Sequence, residues 1–283
     1  MAEILKGAPV AAALSEELIK RAEALKQAGT VPTLAILRVG ERPDDISYET
    51  GAMKRCDKIG IAVKRFLLPA DCAKEQLLDA VREINGDGSI HGCLMFRPLP
   101  DKSMEEAACA LLAPEKDVDC MTAGSLAAVF TGKGAGYAPC TAQACVELLD
   151  HYGVDLTGKR AVVIGRSLVI GKPVSMMLQQ KNATVTMCHT RTVDMPGVCR
   201  EAEIIVAAAG KAGVVNKDFA APGQVVVDVG INVDENGKLC GDVKFDEVEP
   251  VVSAITPVPG GVGAVTTAVL AKHVIEAAEK AQK

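Results

Sequence analysis

Val162-Val163-Ile164-Gly165-Arg166-Ser167-Leu168-Val169-Ile170-Gly171-Lys172-Pro173 decides the fold of this 283-residue chain. An apolar, β-branched run meets a glycine turn, and a helix then opens with Pro173 in its first turn. Proline is tolerated there because the N–H it lacks would have no intrahelical partner. The free N–H groups and the dipole at such a helix start attract anions. This is not a Walker A loop: five residues, not four, separate the glycines, and Pro follows Lys172. Nor is it the GxGxxG fingerprint. Taken alone, the turn is either a dinucleotide-binding loop or a tight connection.

Outward from it, short Val/Ile runs alternate with longer amphipathic stretches. Strands are expected near 34–39, 62–68, 90–96, 161–165, 184–189, 204–209, 224–230 and 253–258. Helices are expected near 9–28, 45–59, 73–85, 103–113, 141–151 and 265–281. Such alternation predicts βαβ units and parallel sheets, hence the α/β class. The break between the halves falls within 115–140. Two α/β lobes with an interlobe cleft follow, with ligands at the carboxyl ends of the strands.

Composition narrows the function. Hydrophobic residues make up 49% and aromatics only 3%, so the core is aliphatic. A net charge of -5 argues against nucleic acid as a partner. Basic residues are scattered, and no apolar run is long enough to span a bilayer, so no membrane role is expected. The start of the chain does not read as a signal peptide. The ten cysteines include no CxxC pair, and cytoplasmic free thiols are expected. No His/carboxylate cluster has metal spacing, so no metal is expected.

The strand TVTMCH ends in His189-Thr190-Arg191, with no carboxylate before Asp194. NAD sites usually place an acid there for the ribose hydroxyls. Arg166, Thr190 and Arg191 offer charge-assisted hydrogen bonds to a 2′-phosphate instead. That favours NADP over NAD; the competing reading makes Arg191 a solvated loop charge.

RPLP (97–100), KDVD (116–119), PCT (139–141), GKRAVVIGRSLVIGKP (158–173), DVGIN (228–232) and TPVPGGVGAVT (256–266) occur together, in this order. With them the chain resembles the methylenetetrahydrofolate dehydrogenase/cyclohydrolase family over nearly its whole length. The resemblance implies a catalytic, folate-binding lobe over 1–138, completed by a C-terminal helix over 265–283. It implies a Rossmann-like NAD(P) lobe over 139–264, and a homodimer. Family members oxidise 5,10-methylenetetrahydrofolate with a nicotinamide cofactor, and bifunctional ones hydrolyse the 5,10-methenyl product to the 10-formyl form. The implied cofactor contacts are Gly165, Arg166, Ser167, Gly171, His189, Thr190, Arg191, Gly230, Ile231 and Asn232. The implied folate contacts are Tyr48, Phe96, Asp119, Pro257, Pro259, Gly260 and Gly261. Tyr48 and Asp119 match catalytic positions, Asp119 gripping the pterin and Tyr48 lying against the ring system.

Two active-site positions depart from the family, and four others differ from it. Its active-site Lys, four residues after the Tyr, is Ala52, and its Gln before the LPLP turn is Phe96. Cys120 replaces Gly, Ala142 Pro, Ala144 Gly and Ala264 Pro. On a helix Tyr48 and Ala52 share a face, while Lys54 points away. Gly51 weakens the helix by ~1 kcal/mol relative to Ala. It either admits a ring closely or is merely tolerated. Hydride loss needs placement, whereas hydrolysis gains ~10²–10⁴-fold from a positioned acid or base. A dehydrogenase with weak or absent cyclohydrolase is therefore expected. The alternatives are the full bifunctional enzyme, with Lys54 or a water chain assisting, and a non-catalytic folate or nucleotide sensor.

Overall fold

The structure, a computed structural model, describes residues 1–282. The chain divides into two compact units. Residues 1–12 and 141–266 form one; Ala13–Cys140 and the chain from Thr267 onward form the other.

The chain opens with β1 (Glu3–Ile4) and α1 (Gly7–Gln27). There follow β2 (Thr33–Val39), α2 (Pro43–Ile59), β3 (Ala62–Leu68), α3 (Lys74–Gly86), β4 (Gly92–Met95), α4 (Lys102–Leu111) and α5 (Ala123–Thr131). Strands β3, β2 and β4 form a parallel sheet in that order. Leu34, Ala35, Ile36 and Leu37 of the middle strand are fully buried, as a strand covered on both faces requires. Leu77, Val81 and Ile84 of α3 pack with Ala35, Leu37 and Met95 on one face. The edge strand β3 exposes Lys64 and Arg65, charges that discourage pairing with another chain.

Helix α2 begins at Pro43, carries Asp44 and Asp45 in its first turn, and stops at Gly60, left-handed with φ 91°. Those are the start and stop signals that the peptide dipole and the αL cap favour. Its buried stripe is Asp45, Glu49, Ala52, Cys56 and Ile59. Helix α5 lies inside the stretch read from the sequence as a break. The Thr122 hydroxyl caps it by accepting the Ser125 N–H at 3.1 Å, and Gly132 ends it with φ 69°.

The other unit continues with α6 (Cys140–His151), β5 (Arg160–Ile164), α7 (Gly171–Gln180), β6 (Thr184–Cys188), α8 (Met195–Arg200), β7 (Ile204–Ala207) and β8 (Val225–Asp228). A small antiparallel ribbon of β9 (Asn232–Val233) and β10 (Leu239–Cys240) precedes α9 (Phe245–Val248) and β11 (Ala254–Ile255). The last helix is α10 (Thr266–Ala281). The sheet is parallel, in the order β1-β11-β8-β7-β5-β6. Strand β5 has β6 on one side and β7 on the other, so the winding reverses there. Ligands of doubly wound sheets gather outside the strand ends at such a switch point. The glycine turn at Gly165 follows β5 directly.

Candidate functional site

Of the residues expected to contact folate, Tyr48 and Phe96 lie at the carboxyl end of the three-stranded sheet. Phe96 follows β4, its N–H bonded to Leu37 O at 3.1 Å, and Tyr48 stands on the helix that leaves β2. The two rings meet edge to face, centroids 6.0 Å apart and planes at 80°, a favoured aromatic geometry. Tyr48 is half-buried and Phe96 is 9% exposed. Ala52 is buried, and Lys54 is exposed. Arg55 is engaged elsewhere, donating to Ser15 Oγ at 2.8 Å and to Thr267 Oγ1 at 3.4 Å. A Cβ at Gly51 would meet nothing within 4 Å, so no packed neighbour demands glycine there.

Sequence reasoning missed what holds this helix. Glu49, next to Tyr48, is buried with Arg38. Its Oε2 lies 2.7 Å from Arg38 Nε and its Oε1 2.7 Å from Arg65 Nε. Arg38 also donates to Gly40 O. One carboxylate thus clamps α2 to both β2 and β3. A Glu in an amphipathic pattern reads as a surface charge, so no sequence signal marked it.

Asp119 is half-buried, and its Oδ1 accepts the Cys140 N–H at 2.9 Å. Burial pushes its pKa up, while the Cys140 hydrogen bonds and the nearby Arg97 guanidinium oppose that shift. Two residues earlier, Asp117 is fully buried and accepts the N–H groups of Met121 and Thr122 at 2.8 and 2.7 Å. That carboxylate shapes the turn which presents Asp119. Cys120, in the position where the resemblance expects Gly, has φ 58°, a left-handed conformation that disfavours a side chain.

The residues expected to contact the cofactor lie at the carboxyl end of the other sheet. A Cβ at Gly165, where φ is 131°, would stand 2.1 Å from Ala208 O, and one at Gly171 would stand 2.3 Å from Gly165 O. Glycine is therefore required at both, and the backbone can approach a diphosphate closely. Ser167 Oγ accepts the Ile170 N–H at 3.1 Å. Arg166, Ser167, Thr190 and Arg191 are exposed. Among the described residues, neither Arg166 nor Arg191 forms an ion pair. They follow the adjacent strands β5 and β6. His189 Nδ1 accepts the Arg191 N–H at 3.1 Å. Asp194, the first carboxylate after β6, caps α8 by accepting the Gly197 N–H at 3.1 Å. These features fit a nucleotide carrying a 2′-phosphate.

Two further loops leave β7 and β8. Asp242, which the sequence did not flag, is fully buried. Its Oδ2 accepts the Ala209 and Gly210 N–H groups at 2.6 and 2.9 Å. Its Oδ1 accepts Lys211 N–H and Asn232 Nδ2–H, both at 2.9 Å. Asp228 accepts the Gly230, Asp242 and Val243 N–H groups at 2.9, 3.0 and 3.0 Å. Burial raises its pKa to about 6, with the neighbouring Asp242 adding to the rise. Gly230 and Asn232 are thus fixed in place, while Ile231 projects outward, 72% exposed.

Pro257, Pro259, Gly260 and Gly261 follow β11. Thr256, just before them, is buried, and its Oγ1 accepts the Asp228 N–H at 2.7 Å. Gly260 has φ 102°, and its carbonyl accepts the Gly7 N–H at 2.8 Å. Pro259 and Gly260 stay exposed. Among the described residues, no group of three or more His, Cys, Asp or Glu is placed to hold a metal ion. Among them too, no helix is long and apolar enough to cross a membrane.

Comparison with known proteins shows the family. Residues 5–119 match the tetrahydrofolate dehydrogenase/cyclohydrolase catalytic domain, and residues 139–282 match its NAD(P)-binding domain. The chain is 54% identical over 281 residues to the bifunctional protein FolD of Carboxydothermus hydrogenoformans, covering 99% of this chain and 98% of that protein. The bifunctional FolD methylenetetrahydrofolate dehydrogenase/cyclohydrolase of Campylobacter jejuni superposes with a TM-score of 0.93 at 36% identity, covering 99% of each chain. The Trypanosoma brucei FolD, solved with NADP and an inhibitor, gives 0.92 at 33% identity, covering 100% of this chain and 99% of the other.

Proposed function

Because the chain belongs to the tetrahydrofolate dehydrogenase/cyclohydrolase family, we propose that it oxidises 5,10-methylenetetrahydrofolate with NADP and hydrolyses the methenyl product weakly or not at all. The observation that carries this reading is the pairing of buried Ala52 with Phe96 set against Tyr48. Neither side chain can donate or accept a proton.

The two reactions make different demands. Hydride leaves the methylene carbon pushed by the lone pairs of its two nitrogen neighbours, and no proton moves with it. NADP, when bound, accepts the hydride. The residues need only bind and orient: Asp119 accepts N–H bonds from the 2-amino-4-oxo pterin, and Tyr48 and Phe96 wall the ring system. The turn of Gly165, Arg166, Ser167 and Gly171 would hold the diphosphate, and His189, Thr190 and Arg191 the 2′-phosphate. Hydrolysis asks for more. Water must add to the methenyl carbon, shed a proton and release a ring nitrogen, steps in which a placed acid or base is worth ~10²–10⁴-fold. Neither Ala52 nor Phe96 supplies one.

A second reading, with both activities, is favoured by the bifunctional name of the 54% identical relative. The sensor reading finds no support, since both matched domains are those of an enzyme. A homodimer in the cytoplasm is also proposed, on the family resemblance; light scattering during size exclusion tests the dimer. The deciding experiment is paired. Reduction of NADP on adding 5,10-methylenetetrahydrofolate tests the dehydrogenase, and decay of 5,10-methenyltetrahydrofolate tests the hydrolase. Brisk NADP reduction with methenyl decay at the buffer rate is expected. Fast decay would hand the case to the bifunctional reading.

A further inference from the structure

We propose that the unit built on the β3-β2-β4 sheet carries a second small-molecule site, for a carboxylate with a compact apolar body. It is a cavity of about 420 Å³ whose walls include Ile90, His91, Lys116, Tyr137, Ala277 and Lys280. Ile90 and His91 lead into β4, so the cavity lies at the amino ends of the strands, opposite Phe96. Its volume falls within the ~300–1,000 Å³ of small-ligand pockets.

His91 supplies the sharpest pointer. The residue is only 7% exposed, and its Nδ1 accepts the Thr33 N–H at 3.1 Å. A neutral imidazole accepting at Nδ1 carries its proton on Nε2. Burial, helped by the charge of Lys116, lowers its pKa and favours that neutral form. Among the described residues, this Nε2–H has no acceptor. Nε2 is not enclosed by protein, so it opens onto the cavity, where a ligand's oxygen can take the place of water as its acceptor.

The charges around it agree. Lys116 Nζ is held in place by donating to Ile84 O at 2.5 Å and Asp87 O at 2.7 Å, with a third N–H to spare. Lys280 Nζ sits 4.3 Å from the Tyr137 ring centroid and 3.2 Å from its hydroxyl. Against these two ammonium groups the lining brings one carboxylate, Glu115, which is exposed, while Asp87 acts on His91 and Lys116, and Glu276 on Lys280, from just outside it. Asn85 adds no free acceptor, since its amide is spent on Leu111 O and the Ala113 N–H. Ile90, Ala277 and Ala281 complete the lining with apolar surface, which a bare inorganic anion would leave unused.

The test titrates benzoate into the full chain and follows the imidazole signals by NMR, with inorganic phosphate in a parallel arm. A saturable shift with benzoate is expected, absent in His91→Gln and about tenfold weaker in Lys280→Met, a loss of ~1.4 kcal/mol. Phosphate is expected to leave the signals in place. Lys280 is exposed, so that variant keeps the test decisive should His91→Gln fail to fold. The proposal is overturned by an absence of saturable shifts with benzoate. It is equally overturned by undiminished binding in Lys280→Met, or by phosphate binding as tightly as benzoate. Since no substrate turnover is read, the outcome is independent of the dehydrogenase reading.

Discussion

Phe96 meets Tyr48 edge-on at 6.0 Å, and Ala52, one turn after Tyr48, lies in the middle of the buried stripe of α2. If the loss of polar groups at 52 and 96 suppresses hydrolysis, restoring polarity should restore it. The double substitution Ala52→Lys with Phe96→Gln is expected to raise methenyl decay by ~10²-fold or more, while dehydrogenase turnover changes little. Ala52→Lys alone should do less, since the apolar Phe96 would still stand where the family has its second polar group. A double variant with no gain in decay rate would show that the two residues do not set the activity.

Arg191 is exposed and has no acidic partner among the described residues. Arg191→Ala is expected to raise KM for NADP about tenfold, as the loss of one charge-assisted hydrogen bond of ~1.5 kcal/mol implies. KM for NAD should hardly move, because NAD lacks the phosphate. Steady-state kinetics with both nucleotides check the asymmetry; equal effects would return Arg191 to the role of a solvated loop charge.

Burial pushes the Asp228 carboxyl up to about 6 in the folded chain, against an ordinary carboxyl value of 3.8. The sign follows from which state holds the proton longer. Between pH 4 and 6 the unfolded chain has lost that proton while the folded chain keeps it. This carboxyl therefore stabilises the fold at low pH, and the benefit fades as pH rises through 6, by up to ~3 kcal/mol. Urea unfolding across that range should show the component in the wild type and lack it in Asp228→Asn. The variant should be less stable overall, because an amide cannot accept all three N–H groups.

Glu49 and Arg38 are buried together. Glu49→Gln would leave Arg38 without its counter-charge, and breaking one side of such a pair costs about 3–5 kcal/mol. A large drop in Tm is expected. Arg65→Ala should be far milder, since that partner is 43% exposed and solvated already. Comparable losses in the two variants would contradict the burial argument.

Cys120 holds φ 58° while burying its side chain. Relief of left-handed strain, about 1–2 kcal/mol, should roughly offset the burial lost in Cys120→Gly, about 1 kcal/mol. A Tm within a few degrees of the wild type is expected by calorimetry. Cys120→Val should be clearly worse, because a β-branched side chain suffers more at positive φ.

Legibility in the sequence followed burial and period. Buried parallel strands such as β2 and β5 read as unbroken apolar runs, and the glycine at 165 announced a turn whose crowding by Ala208 the structure supplies. Arg166, Thr190 and Arg191 could be placed together because strand ends carry their residues to one side of a parallel sheet. What stayed hidden was of two kinds. Strand β1 spans two residues, too short for any alternation to register. Glu49, Asp117 and Asp242 are charged, and a single chain gives no sign that a charge is indoors, whether its donors are local, as for Asp117, or converge from elsewhere. Asp242 gathers donors from positions 209 to 232, and nothing near it in sequence foretells that.

Glu3 lies alongside Ala254, and Ile4 alongside Ile255. Every other strand of that sheet lies between the two along the chain, so a nascent β1 has no partner until β11 follows it out of the ribosome. The large sheet is finished only when that pairing closes.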